Sequence, residues 1–133
     1  MRLKNAAAAL FAALSLSAVS AAGAQGAGQQ VVSVVLSSFK FSPDSLTLQH
    51  GRTYRLHLAN TSGGGHDFTA PEFFASSQIA PADRAKVVDG KVKLSGGQSL
   101  DIDLTPEKPG TYPLHCSHFM HSGMGMKGRI TVE

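Results

Sequence analysis

The chain has 133 residues, of which 42% are hydrophobic and 16% are charged, with a formal net charge of +3 and a single cysteine. This length suits one domain with a single core. One cysteine excludes an internal disulfide and indicates an intermolecular pair, a reactive thiol or a metal ligand. No basic stripe or polybasic cluster occurs along the chain, which argues against binding to nucleic acid or to an anionic membrane surface.

The first 24 residues have the features of a secretory signal peptide. Arg2 and Lys4 form a short positive region, residues 6–20 are apolar, and Ala22-Gly23-Ala24 is a typical cleavage pattern. The apolar run is short for a membrane span, so an uncleaved anchor is the weaker alternative. We predict that cleavage after Ala24 releases a periplasmic, monomeric domain of residues 25–133. Its net charge would be +1 (12 − 2 basic against 9 acidic residues), and it would not insert stably into a membrane.

Beyond residue 30, short segments alternate between apolar and polar residues and are separated by turn residues. This period of two is typical of strands with one buried face. Pro71 and Pro81 exclude one long helix between residues 70 and 89, where we expect only a helical turn near 72–77 or 81–85. The pattern predicts an all-β, antiparallel Greek-key β-sandwich, with strands at residues 31–36, 39–41, 45–49, 54–58, 91–94, 99–104, 111–116 and 128–132.

Ligands for a soft metal are concentrated in the loop between the last two predicted strands. Residues 116–126 contain the only cysteine, two of the six histidines and three of the four methionines. A thiolate, two imidazoles and a distant thioether are the ligands of a blue-copper centre, because sulfur suits Cu(I) and imidazole suits both oxidation states. Cys116 and His121 would come from this loop, and the second imidazole must come from elsewhere.

His66 is the best candidate for that second imidazole. It follows the glycine-rich segment 60–65 and begins a predicted strand. In a Greek-key sandwich, a loop from the first half of the chain can lie beside the loop before the last strand. His50 and His57 lie in or beside a different strand, and we expect them, like His115, on the surface or in the core.

The whole predicted mature chain resembles the cupredoxins, the plastocyanin- and azurin-like blue-copper family. Residues 39–43 and 51–54 match the early strands of that family, residues 60–68 match its first-histidine segment, and residues 110–112 lead to the cysteine as they do there. The spacing Cys116-x4-His121-x4-Met126 is similar to that of the rusticyanin, auracyanin and phytocyanin branches.

This resemblance implies a cupredoxin-like fold and one type 1 copper ion. The implied ligands are His66, Cys116, His121 and Met126. The resemblance also implies that Asp67, after the first histidine, and Ser117, after the cysteine, hydrogen-bond across the two ligand loops. Such outer hydrogen bonds fix the orientation of metal ligands.

Two ligand positions have a competitor in the same loop. His118 is an alternative to His121, although Cys-x4-His has precedent in the family and Cys-x-His does not. Met124 is an alternative to Met126 as the axial ligand, but the Lys-Gly pair after Met126 favours Met126. His115 has a different alternative role, because a histidine directly before the copper cysteine holds a second, catalytic copper in copper nitrite reductases and multicopper oxidases.

The favoured function is transport of single electrons between redox partner proteins in the periplasm, without enzymatic activity. Partners would dock weakly on an apolar patch that Phe119, Met120 and Met124 form around His121. The first alternative is copper storage, transfer or resistance with the same fold, using the surplus histidine and methionines of the loop. The others are an enzyme with a second copper at His115 and a secreted domain that only contacts proteins.

Overall fold

The computed structural model describes residues 29–118 and 125–133. The predicted signal peptide and four loop residues of interest, Phe119, Met120, His121 and Met124, lie outside these ranges. The described chain contains, in order, β1 (Gln30–Ser37), β2 (Lys40–Ser42), β3 (Ser45–Leu48), β4 (Tyr54–Asn60), β5 (His66–Thr69), α1 (Pro71–Ala75), β6 (Ser77–Ile79), a 3-10 helix (Pro81–Lys86), β7 (Lys91–Leu94), β8 (Ser99–Pro106), β9 (Gly110–His115) and β10 (Lys127–Val132).

The described strands form two five-stranded sheets that pack against each other. The order is β2-β1-β4-β8-β6 in the first sheet and β3-β10-β9-β5-β7 in the second. Neighbouring strands are antiparallel except for β1 with β4 and β3 with β10, which run parallel. The parallel pair β1 and β4 arises because the chain leaves for the second sheet at β3 before it returns beside β1. The predicted all-β sandwich is confirmed.

Alternate residues of the strands supply the core between the sheets. In β4, Leu56 and Leu58 are buried, whereas Arg55 before them is exposed. Phe41 of the first sheet packs edge-to-face on Phe68 of the second, with ring centroids 6.0 Å apart. Full burial of such a side chain contributes about 1.5–3 kcal/mol to the free energy of unfolding. The sandwich is therefore a stiff support for the loops at its ends.

The sequence predicts a helical turn at one of two places between the fifth and seventh strands, and the structure has one at each, with a strand between them. Pro71 begins α1 and Pro81 begins the 3-10 helix. The backbone N–H at the start of a helix has no partner within the helix, so proline, which lacks this N–H, costs no hydrogen bond there. Strand β6 pairs with the end of β8 but escapes sequence-based prediction, because three residues are too few to show alternation. Within residues 29–118 and 125–133, no helix is long and apolar enough to cross a membrane.

The strand order of the second sheet brings predicted ligands to one end of the sandwich. Strands β5 and β9 are antiparallel neighbours, with Thr69 opposite His115, so the start of β5 lies beside residues 116–118, which follow β9. His66 is the first residue of β5, Cys116 directly follows β9, and Met126 directly precedes β10. Three residues far apart in sequence are therefore presented at the same edge.

Candidate metal centre

Two of the predicted ligands face each other in the interior. The Sγ atom of Cys116 lies 3.9 Å from Nδ1 of His66, and the two residues are 0% and 4% exposed. Sulfur and imidazole ligands lie about 2.3 and about 2.0 Å from a four-coordinate metal ion such as zinc, which puts them about 3.5–3.9 Å from each other. The pair is therefore spaced as two ligands of one metal ion are.

The third described ligand candidate, Met126, is held beside this pair. The backbone N–H of Cys116 donates to the carbonyl oxygen of Met126 at 3.2 Å, so the loop between them is closed at its base. Met126 is fully buried. Thiolate, imidazole and thioether are the donor types that suit copper, and the backbone places the residues that carry them next to each other.

The remaining ligand candidates, His121 and Met124, lie outside the described residues. Histidine, cysteine and carboxylate side chains form no group of three that could hold a metal ion within residues 29–118 and 125–133. Of the four predicted ligands, the structure thus brings His66, Cys116 and Met126 to one end of the sandwich. The assignment of all four as ligands stays a prediction.

The electrostatic setting of Cys116 favours a neutral thiol while no metal is bound. Burial raises the pKa of the thiol, and the nearby Asp67 carboxylate raises it further. The backbone N–H of Asp67 donates to Sγ at 3.5 Å; this bond and the backbone N–H of His118 lower the pKa, but by less. A metal cation that replaces the proton would compensate the negative charge of the buried thiolate.

Asp67 connects the two ligand segments through the hydrogen bonds expected from the sequence. Its buried carboxylate accepts hydrogen bonds from the backbone N–H of Ser117 at 2.8 Å, from the hydroxyl of Ser117 at 2.6 Å and from the hydroxyl of Thr69. Burial raises the pKa of Asp67, but the hydrogen bonds from Ser117 and Thr69 together outweigh it, and the pKa is lowered overall. The carboxylate is therefore ionised and ties the residue after Cys116 to the residue after His66.

Asn60 fixes the approach to His66, a role that the sequence reading missed. Its buried side-chain amide lies within hydrogen-bond distance of the carbonyl oxygens of Gly64, Leu94 and Ser95, at 2.8, 3.2 and 3.1 Å. Its side-chain oxygen accepts from the backbone N–H and the hydroxyl of Ser62. An asparagine that precedes a Thr-Ser-Gly turn is a recognisable signal, because its side chain bonds the backbone two residues on.

Comparison with known proteins decides the family of the chain. The family model described as a cupredoxin-like domain matches residues 6–132. The chain belongs to the cupredoxin-like family. Membership confirms the resemblance seen in the sequence and implies that the protein binds copper.

Individual relatives of this cupredoxin agree with the family model. It is 30% identical to plastocyanin A/B of Petroselinum crispum over 94 residues, which are 70% of this chain and 87% of the relative. It is 28% identical over 111 residues to the copper-resistant cuproprotein CopI of Rubrivivax gelatinosus, over 79% of this chain and 67% of the relative. Dithionite-reduced auracyanin from Roseiflexus castenholzii has the same fold, with a TM-score of 0.59 at 24% identity, over 79% of this chain and 98% of auracyanin.

His118, the competitor of His121, lies beside His66 in this cupredoxin. The two ring centroids are 6.3 Å apart, with 48° between the ring planes. The side chain of His118 is 42% exposed, and its Nε2 atom lies 3.7 Å from a carboxylate oxygen of Asp67. His118 therefore lies between the candidate centre and solvent.

His115 lies on the outer face of the second sheet. Leu114 and Cys116 on either side are fully buried, and His115 is half-buried, as alternation along a strand predicts. Its neighbours in register are Thr69 on β5 and Lys127 on β10. Within these described strands, no second histidine stands directly opposite it.

Proposed function

We propose that the protein is a periplasmic electron carrier with one type 1 copper ion bound by His66, Cys116, His121 and Met126. The observation that carries the proposal is the buried pair of His66 and Cys116, whose donor atoms are 3.9 Å apart and spaced for one shared ion. A copper ion bound there would alternate between Cu(II) and Cu(I) by gaining and losing one electron.

The chain around this pair favours a site that changes little between the two oxidation states. Asp67 ties Ser117 to β5, and Asn60 ties the segment before His66 to β7. Both ligand segments are therefore anchored to the second sheet. Outer hydrogen bonds of this kind orient the ligands, so Cys116 and His66 need not move when the charge of the centre changes.

In this proposal the electron passes through His121, and partners dock weakly on the apolar patch of Phe119, Met120 and Met124 around it. The carrier acts as a monomer, no substrate binds and no covalent bond changes. We therefore assign no catalytic residue. The likeness to plastocyanins supports this reading, as does the placement of Thr69 and Lys127, neither of them a histidine, opposite His115.

Titration of the purified protein with Cu(II) tests the proposal. We expect an intense visible thiolate-to-copper absorption band, one copper per chain, and loss of the band in Cys116→Ser and in His121→Ala. His50→Ala is the matched control, because His50 bonds the carbonyl oxygen of Glu133, far from the centre, and it should keep the band. A colourless Cu(II) complex of the wild type would overturn the proposal, and two coppers per chain would favour an enzyme with a second site at His115.

Copper handling is the second candidate function, and two observations favour it. One relative is named a copper-resistant cuproprotein, and the exposed ring of His118 lies beside His66, where it can receive an ion before the buried pair does. This function predicts more than one Cu(I) per chain and fast transfer of Cu(I) to a chelator. If the protein hands on copper, His118→Ala should slow the transfer of Cu(I) to the chelator several-fold. If the protein is an electron carrier that keeps its single copper, the transfer rate should be the same in His118→Ala and in the wild type.

A further inference from the structure

A row of side chains crosses the outer face of the second sheet beside the candidate metal centre. Lys127 on β10 is in register with His115 on β9, His115 with Thr69 on β5, and Thr69 with Lys91 on β7. Directly opposed residues point to the same face of a sheet. The two lysines therefore end a row that spans about 14 Å, since three strand spacings of about 4.8 Å separate them.

Two further cations extend this row into a basic band, which we define as Lys91, Lys93, Lys127 and Arg129. Lys93 lies two residues after Lys91 on β7, and Arg129 lies two residues after Lys127 on β10. Both are exposed, whereas the residue between each pair is not. The band is interrupted by one buried carboxylate, Asp67, and flanked by Asp44, whose carbonyl accepts from the backbone N–H of Arg129. Its formal charge is +2, from four cations and these two carboxylates.

The cations of the band differ from Arg55 of the first sheet, which is matched by a carboxylate. On the first sheet Arg55 pairs with Asp103 at 2.9 Å and His57 with Asp101 at 2.6 Å. Across the described residues, which include all nine carboxylate side chains, no ion pair within 4.0 Å involves a member of the band. Lys91 donates to the hydroxyl of Ser117 at 3.1 Å instead. The same hydroxyl donates to Asp67, so the carboxylate lies near Lys91 without forming an ion pair within 4.0 Å with it.

The band is also adjacent to the candidate ligands. His115 in the row directly precedes Cys116, and Lys127 directly follows Met126. Lys91 bonds Ser117, the residue after Cys116. A partner that covers the band would therefore sit next to the centre, separated from it by the thickness of one sheet.

We propose that the basic band is the docking surface for an acidic redox partner protein. This inference rests on the proposed electron-carrier function, because only an electron carrier needs a redox partner. The positive charge of the band itself does not depend on bound copper. Unmatched positive charge attracts an acidic patch from a distance and raises the association rate by about 10- to 1,000-fold at low salt.

A protein is favoured over an anionic membrane as the occupant of this face. Stable attachment of a basic surface to lipid usually combines cations with apolar side chains that insert between the headgroups. The exposed large hydrophobic residues of the described chain are Val31, Phe39 and Val88. None lies on a strand of the second sheet, and of the three only Val88 pairs with a member of the band, through a β-bridge to Lys91. The face offers charge and hydroxyl groups, which suit a polar protein surface.

Titration of the copper-free, isotope-labelled protein with a short polyglutamate peptide, followed by NMR, tests the proposal. We expect amide shifts confined to β5, β7, β9 and β10 at low salt, and their loss at about 1 M salt, where the Debye length is about 3 Å. Lys93→Glu/Lys127→Glu should weaken binding at least about tenfold. Lys40→Glu/Lys108→Glu, with the same change in net charge on exposed residues outside the second sheet, should weaken it much less.

The other outcomes of this experiment overturn the proposal. If both double variants bound polyglutamate equally weakly, the peptide would be responding to the net charge of the protein and not to the band. Amide shifts spread over both sheets would lead to the same conclusion. Binding to phosphatidylglycerol vesicles but not to polyglutamate would assign the band to a membrane instead. Because the titration uses no copper, its failure would leave the copper proposal standing, and a colourless Cu(II) complex would leave the docking result standing.

Discussion

The carboxylate of Asp67 joins the two ligand segments of the centre, because it accepts hydrogen bonds from both the backbone N–H and the hydroxyl of Ser117, at 2.8 and 2.6 Å. Asp67 follows the first candidate ligand and Ser117 follows the cysteine. One buried anion thus holds the relative position of two strands and, through them, of His66 and Cys116.

Removal of this carboxylate should loosen the whole centre. Asp67→Ala leaves the buried hydroxyl of Thr69 and the part-buried donors of Ser117 without their acceptor, so we expect a loss of about 1–3 kcal/mol in the free energy of unfolding of the copper-free protein. Asp67→Asn keeps one acceptor oxygen and should lose less. Urea unfolding measures both, with Asp101→Ala as control, because the side-chain carboxylate of Asp101 is exposed and is hydrogen-bonded only to His57. A loss in the control equal to that in Asp67→Ala would contradict the assigned role.

Asn60 should control the order of the segment before His66. In Asn60→Ala the carbonyl oxygens of Leu94 and Ser95 lose the side-chain amide that bonds them, and we expect a loss of about 1–3 kcal/mol in the free energy of unfolding. Hydrogen exchange of residues 61–66 should accelerate in the same variant. Ser62→Ala removes only the hydroxyl that bonds Asn60 and Gly64, so it should show a smaller effect on both measurements; unchanged exchange in Asn60→Ala would refute the assignment.

The stability of the fold should fall in acid partly through Asp83. A hydrogen bond from Lys86 and one from the backbone N–H of Asp103 lower the pKa of Asp83, and burial only partly opposes them. Because the folded pKa lies below the unfolded value of about 3.9, the stabilisation is complete above that value and is lost as the pH falls through the folded pKa.

The variant Asp83→Asn isolates this contribution. At pH 7 it should lower the free energy of unfolding by about 1–2 kcal/mol, and the difference from the wild type should shrink as the pH falls below about 4. Thermal unfolding of the copper-free protein across this pH range measures the difference. A difference that stays constant down to the lowest pH would show that the charge of Asp83 is not its cause.

Gly128 should tolerate no side chain, because β10 approaches the turn before β3 closely there. A Cβ at Gly128 would overlap the carbonyl oxygen of Asp44 and lie 3.2 Å from a methyl group of Leu114. We expect Gly128→Ala to lower the free energy of unfolding by about 1–3 kcal/mol, measured by urea unfolding. Gly64→Ala is the control, because a Cβ there meets nothing within 4 Å; equal losses in the two variants would disprove the steric argument.

Local patterns in the chain were sufficient for most strands and for part of the site. Alternation with a period of two revealed β4, β7, β8 and β10 because one face of each strand is buried. The dense cluster of sulfur and imidazole ligands around Cys116 indicated a soft metal without any knowledge of the fold. Strand β6 stayed hidden because its three residues form a strand only through pairing with β8.

Relationships between distant strands depend on the order of strands in the sheets, which no local period encodes. Strand β5 lies beside β9 in the second sheet, and this placement brings the side chain of His66 to face Cys116. The sequence alone could only name His66 as a candidate. The same order sets Lys91 and Lys127 into one row that contains no carboxylate, although neither lysine stands in a basic run of the sequence. Periodicity is a property of neighbouring residues, whereas which side chains converge is decided by packing between the sheets and by strand register.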